Sequence, residues 1–236
     1  MSNKGKLFLI PTAIAANTNE LTVTPQVKFH LKEIHHFLAE DIRTARRFLS
    51  SLKIYDSIED LSFSVLNKDT REDELEALVS PVLSGSNLGI LSESGCPGVA
   101  DPGALAVGYA HKKGITVIPL VGPSSILLAL MASGLNGQHF AFHGYLPIRD
   151  PEVSKAIRAY EKESRTKAQT QIFIETPYRN DSLFSALIRT LAPETILCVA
   201  RDVTGEHELI RTQPVWKWRD QSIELGKHPT VFLFLA

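Results

Sequence analysis

Apolar residues along the chain fall into two alternating kinds of segment. Short runs with few polar interruptions, at 6–10, 88–91, 115–120, 170–175, 195–200 and 230–235, have the length and composition of buried strands. Between them, residues 25–38 carry Val27, Leu31, Ile34 and Leu38 at helical spacing, and 69–83 carry Leu75, Leu78, Val79 and Val82 on one helical face. Further helices are predicted over 42–52, from Asp101-Pro102 to about Lys113, over 124–133, 151–165 and 182–191. Asp101 is a favourable N-cap before a first-turn proline, and Gly114 is a favourable stop. Residues 140–145 and 208–211 add short strand-like pieces.

Strand–helix–strand repetition through the first half predicts an α/β domain with a parallel sheet, because parallel neighbours need a crossover between them. The second half alternates less regularly and predicts a second α/β domain with a mixed sheet. The boundary is expected near residue 120, giving domains over 1–120 and 121–236. No internal repeat or low-complexity segment interrupts this pattern.

Composition narrows the function. A net charge of -1 argues against a broadly basic nucleic-acid binder, while leaving room for a local patch. No apolar run is long enough to span a bilayer, and the opening Met1-Ser2-Asn3-Lys4-Gly5-Lys6 lacks a leader-like apolar core, so a cytoplasmic protein is expected. Cys96 and Cys198 are too far apart for a metal-ligand motif, and His35-His36, read as neighbours in a helix, point their rings apart. No metal is therefore expected. Dinucleotide and nucleoside-triphosphate glycine fingerprints, the zinc-protease motif and the hydrolase nucleophile elbow are all missing.

What stands out is a pair of loops that each follow an apolar strand, residues 92–103 and 122–125. In open α/β sheets ligands bind at the carboxyl ends of strands. Ser94, Gly95 and Gly98 would let backbone amides approach a ligand, and Asp101 serves equally as a helix cap or a ligand contact.

The segment Leu91-Ser92-Glu93-Ser94-Gly95-Cys96-Pro97-Gly98-Val99-Ala100-Asp101-Pro102-Gly103 resembles the L-x-S-D-A-G-x-P-x-x-S-D-P-G signature of the tetrapyrrole methylase superfamily. The most similar branch is the one that 2′-O-methylates a cytidine of 16S ribosomal RNA. Ile10-Pro11-Thr12-Ala13-Ile14 is similar to V-P-T-P-I, Ala39-Glu40-Asp41-Ile42-Arg43 to A-E-D-T-R, and Pro119-Leu120-Val121-Gly122-Pro123 to P-L-P-G-P. Phe173-Ile174-Glu175-Thr176-Pro177-Tyr178-Arg179 resembles F-Y-E-S-x-x-R, and Val199-Ala200-Arg201-Asp202-Val203-Thr204 resembles L-A-R-E-L-T. The motifs run in family order over essentially the whole chain.

The resemblance implies two α/β domains, a homodimer and S-adenosylmethionine folded into an interdomain cleft. It places the cofactor against Pro11, Ser92, Glu93, Ser94, Gly95, Asp101, Gly122, Ser124 and Ser125, and against Thr176, Pro229 and Thr230 of the second domain. Departures from the branch are Ala15-Ala16 in place of Gly-Asn, Glu93 for the usual Asp, and Lys227-His228-Pro229 for K-G-E; the chain also stops without the branch's C-terminal extension.

Methyl transfer to a ribose requires a group to take the 2′-OH proton. The catalytic candidates are Glu40 and Asp41 at a strand end, with Arg43 to hold a phosphate, and Glu175 and Arg201 in the second domain. Asp41 could equally cap the following helix, and Glu175 and Arg201 could form an ion pair across the domains. Arg43, Arg46 and Arg47 form an uninterrupted basic patch suited to ribosomal RNA; the basic stretch 158–167 is diluted by acids. His143 and His207 are read as structural, and Trp216-x-Trp218 as one packed and one exposed ring. Two other functions remain open: C-methylation of a tetrapyrrole such as a precorrin or uroporphyrinogen, and a non-catalytic cofactor-binding homologue.

Overall fold

The computed structural model describes residues 4–221 and 223–236; Met1, Ser2 and Asn3, part of the opening read for a leader, lie outside them. The chain divides into two compact units, one ending at Ser124 and one beginning at Ser125.

The first unit is built from β1 (Lys6–Ile10), α1 (Asn19–Thr22), α2 (Pro25–Leu31), β2 (His36–Ala39), α3 (Ile42–Ser51), β3 (Ser62–Val65), α4 (Leu75–Leu78), α5 (Ser80–Leu83), β4 (Leu88–Leu91), α6 (Gly103–Lys112) and β5 (Thr116–Pro119). Its five strands form one wholly parallel sheet in the order β3-β2-β4-β1-β5. Alternate residues feed two cores: Phe8, Ile10, Phe37 and Leu91 on one face, Leu7, Leu38, Leu88 and Ile90 on the other. Burial of both faces is why these strands are apolar without interruption.

That same double burial explains one correction. The helix expected over 25–38 ends at Leu31, and His36–Ala39 is strand β2. The helical spacing of Ile34 and Leu38 was coincidental, since Phe37 and Leu38 are both buried on opposite sides of the sheet. His35 and His36 therefore do not share a helix. The helix expected over 69–83 is broken into a 3-10 turn (Glu72–Glu74), α4 and α5. Pro81 has no N–H for the Ala77 carbonyl, which accepts instead from Ser80 Oγ at 2.8 Å. β3, whose residues are mostly exposed, was not foreseen.

The second unit comprises α7 (Ser125–Ser133), β6 (Phe140–Phe142), α8 (Glu152–Lys167), β7 (Thr170–Glu175), α9 (Asn180–Thr190), β8 (Ile196–Arg201), β9 (Leu209–Pro214), α10 (Val215–Arg219) and β10 (Thr230–Leu235). Its sheet runs β6-β7-β10-β8-β9, with β6 parallel to β7 and every other pair antiparallel. The fold is thus α/β with a parallel and a mixed sheet. Phe173, Phe232, Phe234 and Trp218 fill the second core, while Trp216 is half exposed, as the Trp-x-Trp spacing predicted. Among the described residues no helix is long and apolar enough to cross a membrane.

Candidate active site

Because every strand of the first sheet points the same way, the segments after β1, β2, β4 and β5 emerge at one edge. The two conspicuous loops follow β4 and β5, which are not neighbours; β1 lies between them. They meet over its end. Thr12 is the tie: its N–H donates to the Gly95 carbonyl at 3.0 Å and its Oγ1 to the Ser92 carbonyl at 3.1 Å. Ser92 Oγ donates to the Ser94 carbonyl, and Cys96 Sγ lies 3.3 Å from the Pro123 carbonyl it donates to.

Two glycines make this approach possible. Gly95 has φ +74, and a Cβ on it would come within 3.1 Å of Ile14 Cγ2 and 3.3 Å of the Pro123 oxygen. A Cβ on Gly122 would overlap Pro11, at 2.2 Å from its Cβ. Pro11, Ser92–Gly95 and Gly122 are thereby brought together, with Ser124 closing the last loop of the first unit and Ser125 opening α7.

Carboxylates surround this edge. Glu40 follows β2, whose last residue Ala39 pairs with Leu91 of β4. Its carboxyl is raised above the ordinary range, first by burial and then by the negative charges of Asp101 and Glu93. Asp101 accepts from two backbone groups, the N–H of Gly98 at 2.9 Å and of Gly103 at 2.7 Å, so it closes the loop and starts α6 one residue later than expected. Asp41 is the N-cap of α3: its Oδ1 accepts from the Thr44 N–H at 2.7 Å, and that bond holds its carboxyl below the ordinary range. A depressed, engaged carboxylate is a poor base, which separates it from Glu40. Arg43 and Arg47 are exposed on α3, while Arg46 lies over the Phe63 ring at 5.3 Å.

In the second unit, Glu175, Thr230 and Arg201 stand directly opposite one another across β7, β10 and β8. The ion pair considered for Glu175 and Arg201 does not form. Glu175 is buried and pairs with Arg179, 2.7 Å away, while Oε1 accepts from the Thr176 N–H at 2.7 Å. Arg201 donates to the carbonyls of His207 and Glu224. Thr230 Oγ1 donates to the His228 carbonyl, and the exposed Pro229 accepts from the Asp202 N–H at 2.8 Å. His143 bonds Gln171 and stacks against Tyr160 and Phe173, a structural placement.

Three contributors were not singled out from sequence: Thr12, Arg179 and Asn180, the last of which donates from Nδ2 to the carbonyls of Gly226 and His228. Arg179 was signalled by its four-residue offset from Glu175 at the start of a helical turn. Among the described residues no group of His, Cys, Asp and Glu is arranged to hold a metal ion.

No model of a known protein family matches the chain. Its fold matches solved methyltransferases: CobJ, with a TM-score of 0.64 and 19% identity over 98% of this chain and 94% of that one. A uroporphyrin-III C-methyltransferase of Thermus thermophilus, solved with S-adenosyl homocysteine, matches with a TM-score of 0.57 and 17% identity over 98% and 97%. The fold is thus that of the tetrapyrrole methyltransferases. In sequence the chain is 31% identical over 210 residues to ribosomal RNA small subunit methyltransferase I of Xylella fastidiosa, covering 89% of this chain and 72% of the relative. It is 27% identical to the Escherichia coli O157:H7 protein of that name, over 96% and 77%. The chain belongs to the ribosomal RNA small subunit methyltransferase I family, and it is a methyltransferase.

Proposed function

We propose that this enzyme transfers a methyl group from S-adenosylmethionine to a ribose 2′-oxygen of ribosomal RNA. The observation that carries the reading is the closure of Thr12, Ser92–Gly95 and Gly122–Pro123 over the end of β1, beside Glu40, Glu93 and Asp101. The donor set fits the cofactor: glycines admit it to the backbone, and an acidic edge suits ribose hydroxyls and a cationic sulfonium. Pro11, Ser92, Glu93, Ser94, Gly95, Asp101, Gly122 and Ser124 would hold it from the first unit, and Ser125, Thr176, Pro229 and Thr230 from the second.

S-adenosylmethionine supplies, when bound, a methyl already activated on sulfur. The chain's task is alignment and proton removal. Glu40 takes the 2′-OH proton, its carboxylate made more basic than an ordinary one by burial and by the neighbouring Asp101 and Glu93 charges. Asp41 keeps α3 in place, and Arg43 and Arg47 meet phosphates of the RNA. Glu175 and Arg201 fix the loops that carry Thr176 and Pro229. We place the work in the cytoplasm as a homodimer; exposed Leu127 and Met131 on α7, 51% and 78% accessible, are suited to cover by a second copy.

Calorimetric titration with S-adenosylmethionine and S-adenosylhomocysteine, with and without chelator, tests the cofactor. Binding of both, indifferent to chelator, is expected; no heat from either would overturn the assignment.

A further inference from the structure

Tyr178 is 81% exposed, and the Lys227 ammonium lies 5.2 Å from its ring centroid. Neither side chain belongs to a core cluster, yet the backbone on both sides of each is tied down. Pro177 and Arg179 flank Tyr178; Arg179 donates its N–H to the Thr176 carbonyl at 2.9 Å and pairs with buried Glu175. Gly226 and His228 flank Lys227, and the carbonyls of both accept from Nδ2 of the fully buried Asn180, at 3.3 and 2.6 Å. Asp181 Oδ1 accepts from the Leu225 N–H at 2.9 Å, fixing the same turn from its other end.

An aromatic ring left in water on a fixed turn, with a cation on it, serves no packing purpose in the second unit. It has the two parts of a single-strand nucleic-acid contact: a flat face on which any base stacks, and a positive charge for the adjoining phosphate. We propose that Tyr178 and Lys227 form a stacking platform for one base of single-stranded RNA. This rests on the reading of RNA as substrate and adds a subsite carried by the second unit. Asn180 acts through Lys227 as a positioning residue.

The test is anisotropy titration of fluorescent oligocytidylate and of an abasic ribose-phosphate chain of equal length, with thermal melting to show each variant folded. Tyr178→Ala should weaken oligocytidylate binding about five- to a hundredfold, the range for loss of one base–aromatic stack. It should leave the abasic chain's affinity unchanged, and Tyr178→Phe should bind as the parent does. Lys227→Gln should lower the salt slope for both probes by roughly one unit or less. Equal oligocytidylate affinity for the parent and a folded Tyr178→Ala overturns the platform, as does an equal loss on the abasic chain. With uroporphyrinogen titrated alongside, a Tyr178→Ala variant that loses the macrocycle but keeps oligocytidylate would assign the ring to a macrocycle instead. A parent that binds neither probe overturns the RNA reading itself.

Discussion

The Arg179 guanidinium, on the last residue of a 3-10 turn opened by Pro177, lies 2.7 Å from the carboxylate of Glu175 at the end of β7. Glu175 has no side-chain exposure, and Arg179 is its ion-pair partner. Breaking a buried pair typically costs about 3–5 kcal/mol. Arg179 is 30% exposed, which eases the loss, and Arg179→Ala should cost about 2–3 kcal/mol. The double variant Glu175→Gln, Arg179→Ala should recover part of this. Urea unfolding measures both; a cost within about 0.5 kcal/mol, as for an ordinary surface site, would show the pair to be incidental.

Glu40 gives two effects of opposite sense. Its raised pKa means that the fold favours the protonated carboxyl, so this stabilising contribution is fully present below pH 4.5 and is lost as pH rises through the folded value. Glu40→Gln should therefore melt above the parent at neutral pH, with the gap closing below pH 4.5. The same variant should lose about 10²–10⁴-fold in kcat, together with the acid limb of the parent's pH–rate profile. A Gln variant with parental kcat removes Glu40 from the proton transfer.

Gly95→Val should abolish cofactor binding in calorimetry while the chain stays folded. The left-handed backbone at Gly95 resists a β-branched side chain, and the space beside Ile14 and Pro123 is already taken. Parental affinity in the variant would reduce the loop to a turn.

Much of this was legible before the structure. The Gly- and Ser-rich loops announced themselves because their small residues follow apolar strands, and their motifs kept family order. Of the β2 strand only the end, before Glu40 and Asp41, was legible, because an apolar run buried on both sheet faces matches helical spacing as readily as strand spacing. β3 went unread although Phe63 and Val65 alternate with serines, because four residues are too short a run for that alternation to stand out. Asp41 and Glu40 are adjacent and alike in sequence. Only the Thr44 N–H on one and the neighbouring carboxylates around the other separate a cap from a base. Asn180 reads as an ordinary helix-start residue; its hold on the 226–228 turn spans a separation that no local pattern encodes.

Arg43 and Arg47 point to solvent from the face of α3 opposite buried Ala45, Phe48 and Leu49. Either one changed to Ala should weaken RNA binding across sequences and lower the salt slope by roughly one unit or less, with cofactor affinity intact. Arg46 is a poorer probe, since its removal also uncovers Phe63. Unchanged slopes in both variants would place the RNA elsewhere on the protein.

The central claim is the acceptor. The direct measurement is transfer of labelled methyl from S-adenosylmethionine to small ribosomal subunits and, in parallel, to uroporphyrinogen, followed by mapping of alkali-resistant ribose linkages in the RNA. The account predicts label in 16S ribosomal RNA at a 2′-oxygen and none on the macrocycle. Label on uroporphyrinogen, or none on either acceptor from enzyme that binds the cofactor, would contradict it.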